Sequence, residues 1–143
     1  MNIAIACDHG GFALKNMLTD FLAQKGFKII DEGTFSCDSV DYPDYAQKVC
    51  KLVMTKKADK GILICGSGVG MSISANKFKN IRAALCNDLY TAKYSRLHND
   101  ANVLCLGARV IGEGLAFDIV MTWLKTDYEG GRHDNRVKKM MDL

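Results

Sequence analysis

The chain has 143 residues, 48% of them hydrophobic, which suits one ordinary domain with a buried core. A net charge of +3, spread thinly except for a basic C-terminal cluster, argues against nucleic-acid and membrane partners. The six cysteines contain no Cys-x-x-Cys pair and argue against zinc, and the start at Met1 reads neither as a signal peptide nor as a membrane span, so a cytoplasmic protein with reduced thiols is expected.

Apolar runs alternate with stretches of helical period. Ile3–Cys7 is the first strand, followed by a helix over Phe12–Gln24 whose Phe12, Leu14, Met17, Leu18, Phe21 and Leu22 recur at helical spacing until Gly26 stops it. Phe27–Asp31 is the second strand and Tyr45–Met54 the second helix, with Pro43 near its start. The run Gly61–Cys65 is apolar enough for a strand buried on both faces, and Gly70–Phe78 follows as a helix. Arg82–Cys86, the helix Leu89–Leu97, the strand Val103–Leu106 and the helix Gly114–Lys125 continue the alternation, with Leu115, Ile119, Val120 and Leu124 expected to face inward. A short basic helix, about Asp134–Met141, closes the chain.

Five strands separated by helices imply an α/β fold: a Rossmann-like three-layer α/β/α sandwich around a five-stranded parallel sheet, all of residues 1–143 forming one domain. Right-handed crossovers put the C-terminal ends of the strands on one edge, where such sheets bind ligands. That edge collects Asp8-His9-Gly10-Gly11, Asp41-Tyr42-Pro43, Cys65-Gly66-Ser67-Gly68-Val69-Gly70 and Asn87-Asp88.

Gly66, Gly68 and Gly70 allow backbone conformations closed to other residues, and their amides, together with a helix N-terminus, can cradle an anion. A tight strand-to-helix turn is the plain alternative. Cys65 shares the strand setting of Cys7, Cys86 and Cys105, where burial is ordinary, but it alone abuts the glycine loop, a setting that activates a thiol. Asp8 is equally a helix cap, His9 a turn residue, and Tyr42 a packing ring; Asp41 is as ambiguous as Asp8. His98 follows a helix among polar neighbours, which suits either a dipole contact or acid/base work. Arg132 and Arg136 are four apart and would project from one helix face toward a phosphate, or simply into solvent, with Arg109 available to either arrangement.

Two chemistries fit this loop poorly. The nicotinamide-cofactor fingerprint needs Gly-x-Gly-x-x-Gly, and here the third glycine is displaced although Asp88 ends the next strand. A Cys-x5-Arg phosphatase cradle needs arginine where the chain has Met71. A sensor that binds a phosphosugar without turning it over stays open.

The sequence resembles the ribose/galactose/allose phosphate isomerase family, its type B ribose-5-phosphate isomerases most of all. The resemblance rests on Ala6–Phe12, Asp41-Tyr42-Pro43, Gly61–Gly70, Ser74-Ala75-Asn76-Lys77, Arg96–Leu104 and Tyr128–His133, in order and end to end. It implies conversion of an aldose phosphate to its ketose through a cis-enediolate, with Cys65 moving a proton between C2 and C1. It further implies that His98 and Ser67 open the sugar ring. Asp8 would bind hydroxyls, Tyr42 and Asn99 would shape the pocket, and His9, Arg109, Arg132 and Arg136 would hold phosphate. Ser67 stands where relatives commonly carry Thr. No metal or organic cofactor is implied, since the carbonyl itself acidifies the C2 proton. The implied partners are the sugar phosphate and a second copy in a homodimer or homotetramer. His98, Asn99 and Arg109 would then come from the neighbouring chain, and the C-terminal helix would pack on a partner.

Overall fold

The computed structural model describes all 143 residues. Its elements are β1 (Asn2–Cys7), α1 (Phe12–Gln24), β2 (Lys28–Asp31), α2 (Tyr42–Met54), β3 (Lys60–Cys65), α3 (Val69–Ala75), β4 (Ala83–Leu85), α4 (Leu89–Leu97), β5 (Val103–Gly107), α5 (Glu113–Lys125) and α6 (Asp134–Met141). Short 3-10 turns at His9–Gly11 and Gly131–His133 precede α1 and α6. The five strands pair in parallel in the order β2-β1-β3-β5-β4, the Rossmann-like α/β arrangement the alternation predicts.

The strand order turns on β1 and β3. The chain leaves β1 toward β2 on one side, then returns to lay β3 on the other, so the crevice beyond their C-terminal ends is the topological switch point where α/β sheets place ligands. Those ends carry Asp8 and Cys65, from adjacent strands in which Cys7 pairs with Ile64.

Each sheet face has its own core. On one, Ile3, Ile5, Ile62 and Leu104 meet Leu14, Leu18 and Leu22 of α1, and Ile119, Val120 and Trp123 of α5. On the other, Ala4, Ala6, Leu63 and Cys105 meet Val49, Cys50 and Val53 of α2, and Met71 and Ala75 of α3. Burying each such side chain stabilises the fold by roughly 1.5–3 kcal/mol against leaving it exposed. At Gly11 a Cβ would come within 2.7 Å of the Ile64 carbonyl oxygen, so only glycine lets the turn before α1 press onto β3. That contact sets the distance between the Asp8 loop and Cys65.

Most expected boundaries lie within a residue or two. Helix α2 starts at Tyr42 rather than Tyr45, because Pro43 enters its first turn without needing a donor. Helix α3 stops at Ala75 rather than Phe78. There the Asn76 side chain pairs with the Ala83 N–H and C=O, both at 2.9 Å, and turns the chain toward β4. Leu115 does not face inward; it is 39% exposed, and Ala116 and Trp123 take the core positions of α5. Arg132 lies in the turn before α6, so it and Arg136 do not share one helix face.

Candidate active site

Beyond the ends of β1 and β3 lies an open cleft of about 600 Å³, lined by Asp8, Tyr42, Cys65, Gly66, Ser67, Gly70 and Arg109, with Val69, Ile73 and Val110 as apolar walls. Four segments far apart in sequence therefore meet there.

Cys65 ends β3 with 4% of its surface exposed, and the Gly68 amide donates to its sulfur at 3.1 Å. That bond exists because Gly68 is left-handed, at φ +78°, and curls the loop back over the strand end. A side chain would not fit there: a Cβ on Gly68 would sit 2.4 Å from Leu85 Cδ1 and 2.9 Å from the Leu106 carbonyl carbon. The Val69 amide donates to Ser67 Oγ at 3.2 Å, so the next donor of the loop orients the hydroxyl. Two more main-chain bonds, from Ala108 to the Cys65 carbonyl at 2.9 Å and from Arg109 to the Gly66 carbonyl at 3.0 Å, fasten this loop to the turn after β5.

Asp8 is a cap and a cleft residue at once. One of its oxygens accepts from the amides of Gly10 at 2.9 Å and Gly11 at 3.2 Å, and the residue is 7% exposed at the cleft floor. Tyr42 packs its ring where a Cβ on Gly70 would lie, 2.8 Å away, so Gly70 makes room for that ring. Asp41 takes the N-cap position of α2 without a side-chain cap bond. His9 is exposed and accepts from the Val40 amide at its Nδ1, 3.2 Å, which ties the loop before α2 to the first turn. Arg109 does not wait on another chain: it lines the Cys65 cleft of its own chain, against Gly66.

The remaining expected residues gather elsewhere. Asn99 lines a separate groove of about 870 Å³ with Phe78, Arg82, Met140 and Leu143. His98 lies at the end of α4 beside Glu129 and His133, two residues to which the sequence reading gave no role. His98 and His133 stack with centroids 4.1 Å apart and planes 16° from parallel, and Glu129 Oε2 lies 3.7 and 3.5 Å from their Nε2 atoms. These three side chains offer metal-donor atoms within 4.8 Å of one another. Arg132 Nε, however, donates to His133 Nε2 at 3.3 Å, filling that lone pair and adding a positive charge that opposes a cation. Burial, with His98 and Arg132 beside it, holds the His133 imidazole below its usual range. Arg136 stands nearby on α6.

Burial pushes the thiols of Cys7 and Cys50 up to about 12 and raises those of Cys86 and Cys105. Cys37 is exposed in the loop after β2. No helix is long and apolar enough to cross a membrane.

Comparison with known proteins agrees with this architecture. A family model described as Ribose/Galactose Isomerase matches residues 3–140. Ribose-5-phosphate isomerase B of Escherichia coli is 52% identical over 95% of this chain and 91% of its own length. The solved structure of ribose-5-phosphate isomerase B from Clostridium thermocellum superposes with a TM-score of 0.98 at 53% identity, covering 99% of this chain and 96% of that one. A ribose 5-phosphate isomerase structure from Thermotoga maritima gives 0.98 at 50% identity, covering 99% and 98%. The chain therefore belongs to the ribose/galactose isomerase family and is an isomerase.

Proposed function

We propose that the chain interconverts ribose 5-phosphate and ribulose 5-phosphate through a cis-enediolate, with Cys65 as the base. The observation that carries this reading is the Cys65 sulfur, accepting the Gly68 amide at 3.1 Å in an open cleft that also holds Asp8, Ser67 and Arg109.

The steps follow from that geometry. The thiolate takes the C2 proton as the C2–H electrons form the C1–C2 double bond and the carbonyl electrons move onto O1. Main-chain amides of the glycine loop hold the oxyanion; one such donor is typically worth roughly 3–4 kcal/mol in the barrier. The O2 hydroxyl then passes its proton to the negative O1, its electrons form the C2 carbonyl, and C1 takes up the proton from the Cys65 thiol, which returns to thiolate. The Gly68 amide steadies the negative sulfur at both ends of the cycle. His98 and Ser67 open the furanose ring, Asp8 binds hydroxyls, and Tyr42 and Asn99 shape the walls. His9, Arg109, Arg132 and Arg136 grip the phosphate, whose binding energy positions C1 and C2 against the sulfur.

His98, Asn99, Arg132 and Arg136 do not line the Cys65 cleft of one chain. The site is completed by a second copy related by a twofold axis, so that each His98 cluster faces the partner's cleft; α6, which buries none of its own residues, packs on that copy. A thiolate base also calls for a reducing compartment, the cytoplasm, in pentose phosphate metabolism.

A six-carbon reading is favoured only by the galactose in the family model's description, and would make the substrate allose or galactose 6-phosphate. Turnover of purified protein on ribose 5-phosphate and on both hexose 6-phosphates separates the readings. Ribose 5-phosphate should be fastest. Faster turnover of a hexose phosphate overturns the pentose assignment, and binding without turnover of any overturns the enzyme in favour of a sensor.

A further inference from the structure

Four rings form a continuous ladder at the end of α4. Tyr90, Tyr94 and His98 are spaced i, i+4, i+8 and lie on one helix face. Tyr90 and Tyr94 are 4.4 Å apart between centroids; Tyr94 meets His98 edge-on at 4.8 Å and 60°, and His133 stacks flat on His98 at 4.1 Å and 16°. The ladder is open at one end, where Tyr90 is 71% exposed, and closed at the other, where His133 is 3% exposed. His98 itself keeps 32% of its side chain accessible.

We propose that His133 is a positioning residue for His98, clamping its imidazole flat between the edge of Tyr94 and its own ring so that the exposed nitrogen is presented to substrate at a fixed angle. This rests on the ring-opening role given to His98.

His98 follows the last turn of a nine-residue helix, a place where helices fray and a side chain gains little order from the helix itself. Its amide bond to the Tyr94 carbonyl at 3.0 Å fixes the main chain but not the ring. The clamp is built from the other side. The Glu129 amide donates to the Leu97 carbonyl at 3.1 Å, and buried Arg96 donates to the Thr126 carbonyl at 3.2 Å, so the segment carrying His133 is tied to the end of α4. The His133 amide in turn bonds to the Gly130 carbonyl at 3.1 Å. Arg132 Nε donating to His133 Nε2 leaves the ring proton on Nδ1 and the ring neutral, as burial also favours. A neutral ring can lie flat on His98 whether or not His98 carries a proton; a second imidazolium could not. Offset aromatic pairs of this kind are worth about 0.5–1.5 kcal/mol beyond their buried area, enough to select one rotamer.

His133→Ala and His133→Phe separate the clamp from its polar contacts, since both lose the Arg132 bond and only Phe keeps a flat ring. The expected result is a roughly ten- to hundredfold fall in kcat for His133→Ala and recovery of most of that loss in His133→Phe, with any change in inhibition by inorganic phosphate, through the lost Arg132 bond, the same in both. Because the chain has three histidines, the His98 ring resonances are read directly by NMR, and they should move and broaden in the Ala variant and return in Phe. Tyr94→Leu, which removes the other ring against His98, should repeat the Ala pattern and serves where His133→Ala folds poorly. Equal impairment in Ala and Phe overturns the proposal, as do unmoved His98 resonances in Ala and in Tyr94→Leu. Disturbed His98 resonances with wild-type turnover uphold the clamp and refute the role of His98 in ring opening.

Discussion

Cys7 and Cys65 end neighbouring strands of one sheet, at the same edge, in the same kind of apolar run. One thiol is fully buried and pushed up to about 12 by that burial, which Lys15 and a main-chain contact from Thr34 offset only in part. The other accepts a glycine amide at 3.1 Å and lines an open cleft. The difference lies in the residues that follow. After Cys7 the chain spends Asp8 on capping the next turn; after Cys65 it spends three alternate glycines on folding back over the sulfur. In a parallel sheet the strand supplies the address of a reactive group, and the loop supplies its chemistry.

The sharpest break of that comparison is alanine at each position. Cys65→Ala should lower turnover at least roughly a thousandfold while inorganic phosphate still binds, whereas Cys7→Ala should leave kcat near wild type and lower stability by about 1–2 kcal/mol. Steady-state assays and thermal melts of the pair check this, and comparable activity in both would erase the distinction. Next comes Gly68→Ala, which needs a left-handed alanine and meets Leu85 at 2.4 Å. A stability loss of roughly 1–3 kcal/mol or more, with a large fall in kcat, is expected as the amide swings off the sulfur. Iodoacetamide followed by peptide mass spectrometry gives a smaller, graded readout. In the native protein the label should reach Cys65 and exposed Cys37 well before Cys7, Cys50 or Cys105, and a saturating sugar phosphate should protect Cys65 alone.

The smallest effect concerns the opposite end of β3, where Lys60 lies over the Trp123 ring and burial, aided by Arg96, lowers its ammonium to about 8 from 10.5. The unfolded chain then holds more protons than the folded one between those two values. Stability of the wild type relative to Lys60→Met should therefore rise from about pH 8 toward 10.5 and stay flat below 8, as urea melts across that range would report.

Alternation of apolar runs and helical periods was sufficient to read the three-layer fold, because β1, β3 and β5 are buried on both faces and α1, α2 and α5 each show one stripe to the sheet. Errors fell where a side chain overrode periodicity: Asn76 ending α3, Pro43 entering the first turn of α2, Leu115 yielding its place to Ala116. The cleft was legible because strand ends must converge. Its apolar walls were not, since Val69, Ile73 and Val110 look like core in sequence and are 46%, 59% and 55% exposed. Glu129 and His133 escaped notice beside Arg132; their i, i+4 spacing was the available signal, but only the fold brings that segment against the end of α4.

The two main-chain bonds that fasten the Cys65 loop to the turn after β5 make the sulfur and the Arg109 backbone parts of a single splint. A splint behaves as a ruler: the span from the Cys65 sulfur to the Arg109 main chain is graduated by peptide geometry, and side-chain repacking cannot stretch it. Adapting this scaffold to a sugar of another length therefore has to recut the facing wall, and point substitutions along the splint itself would cost order before they gained reach.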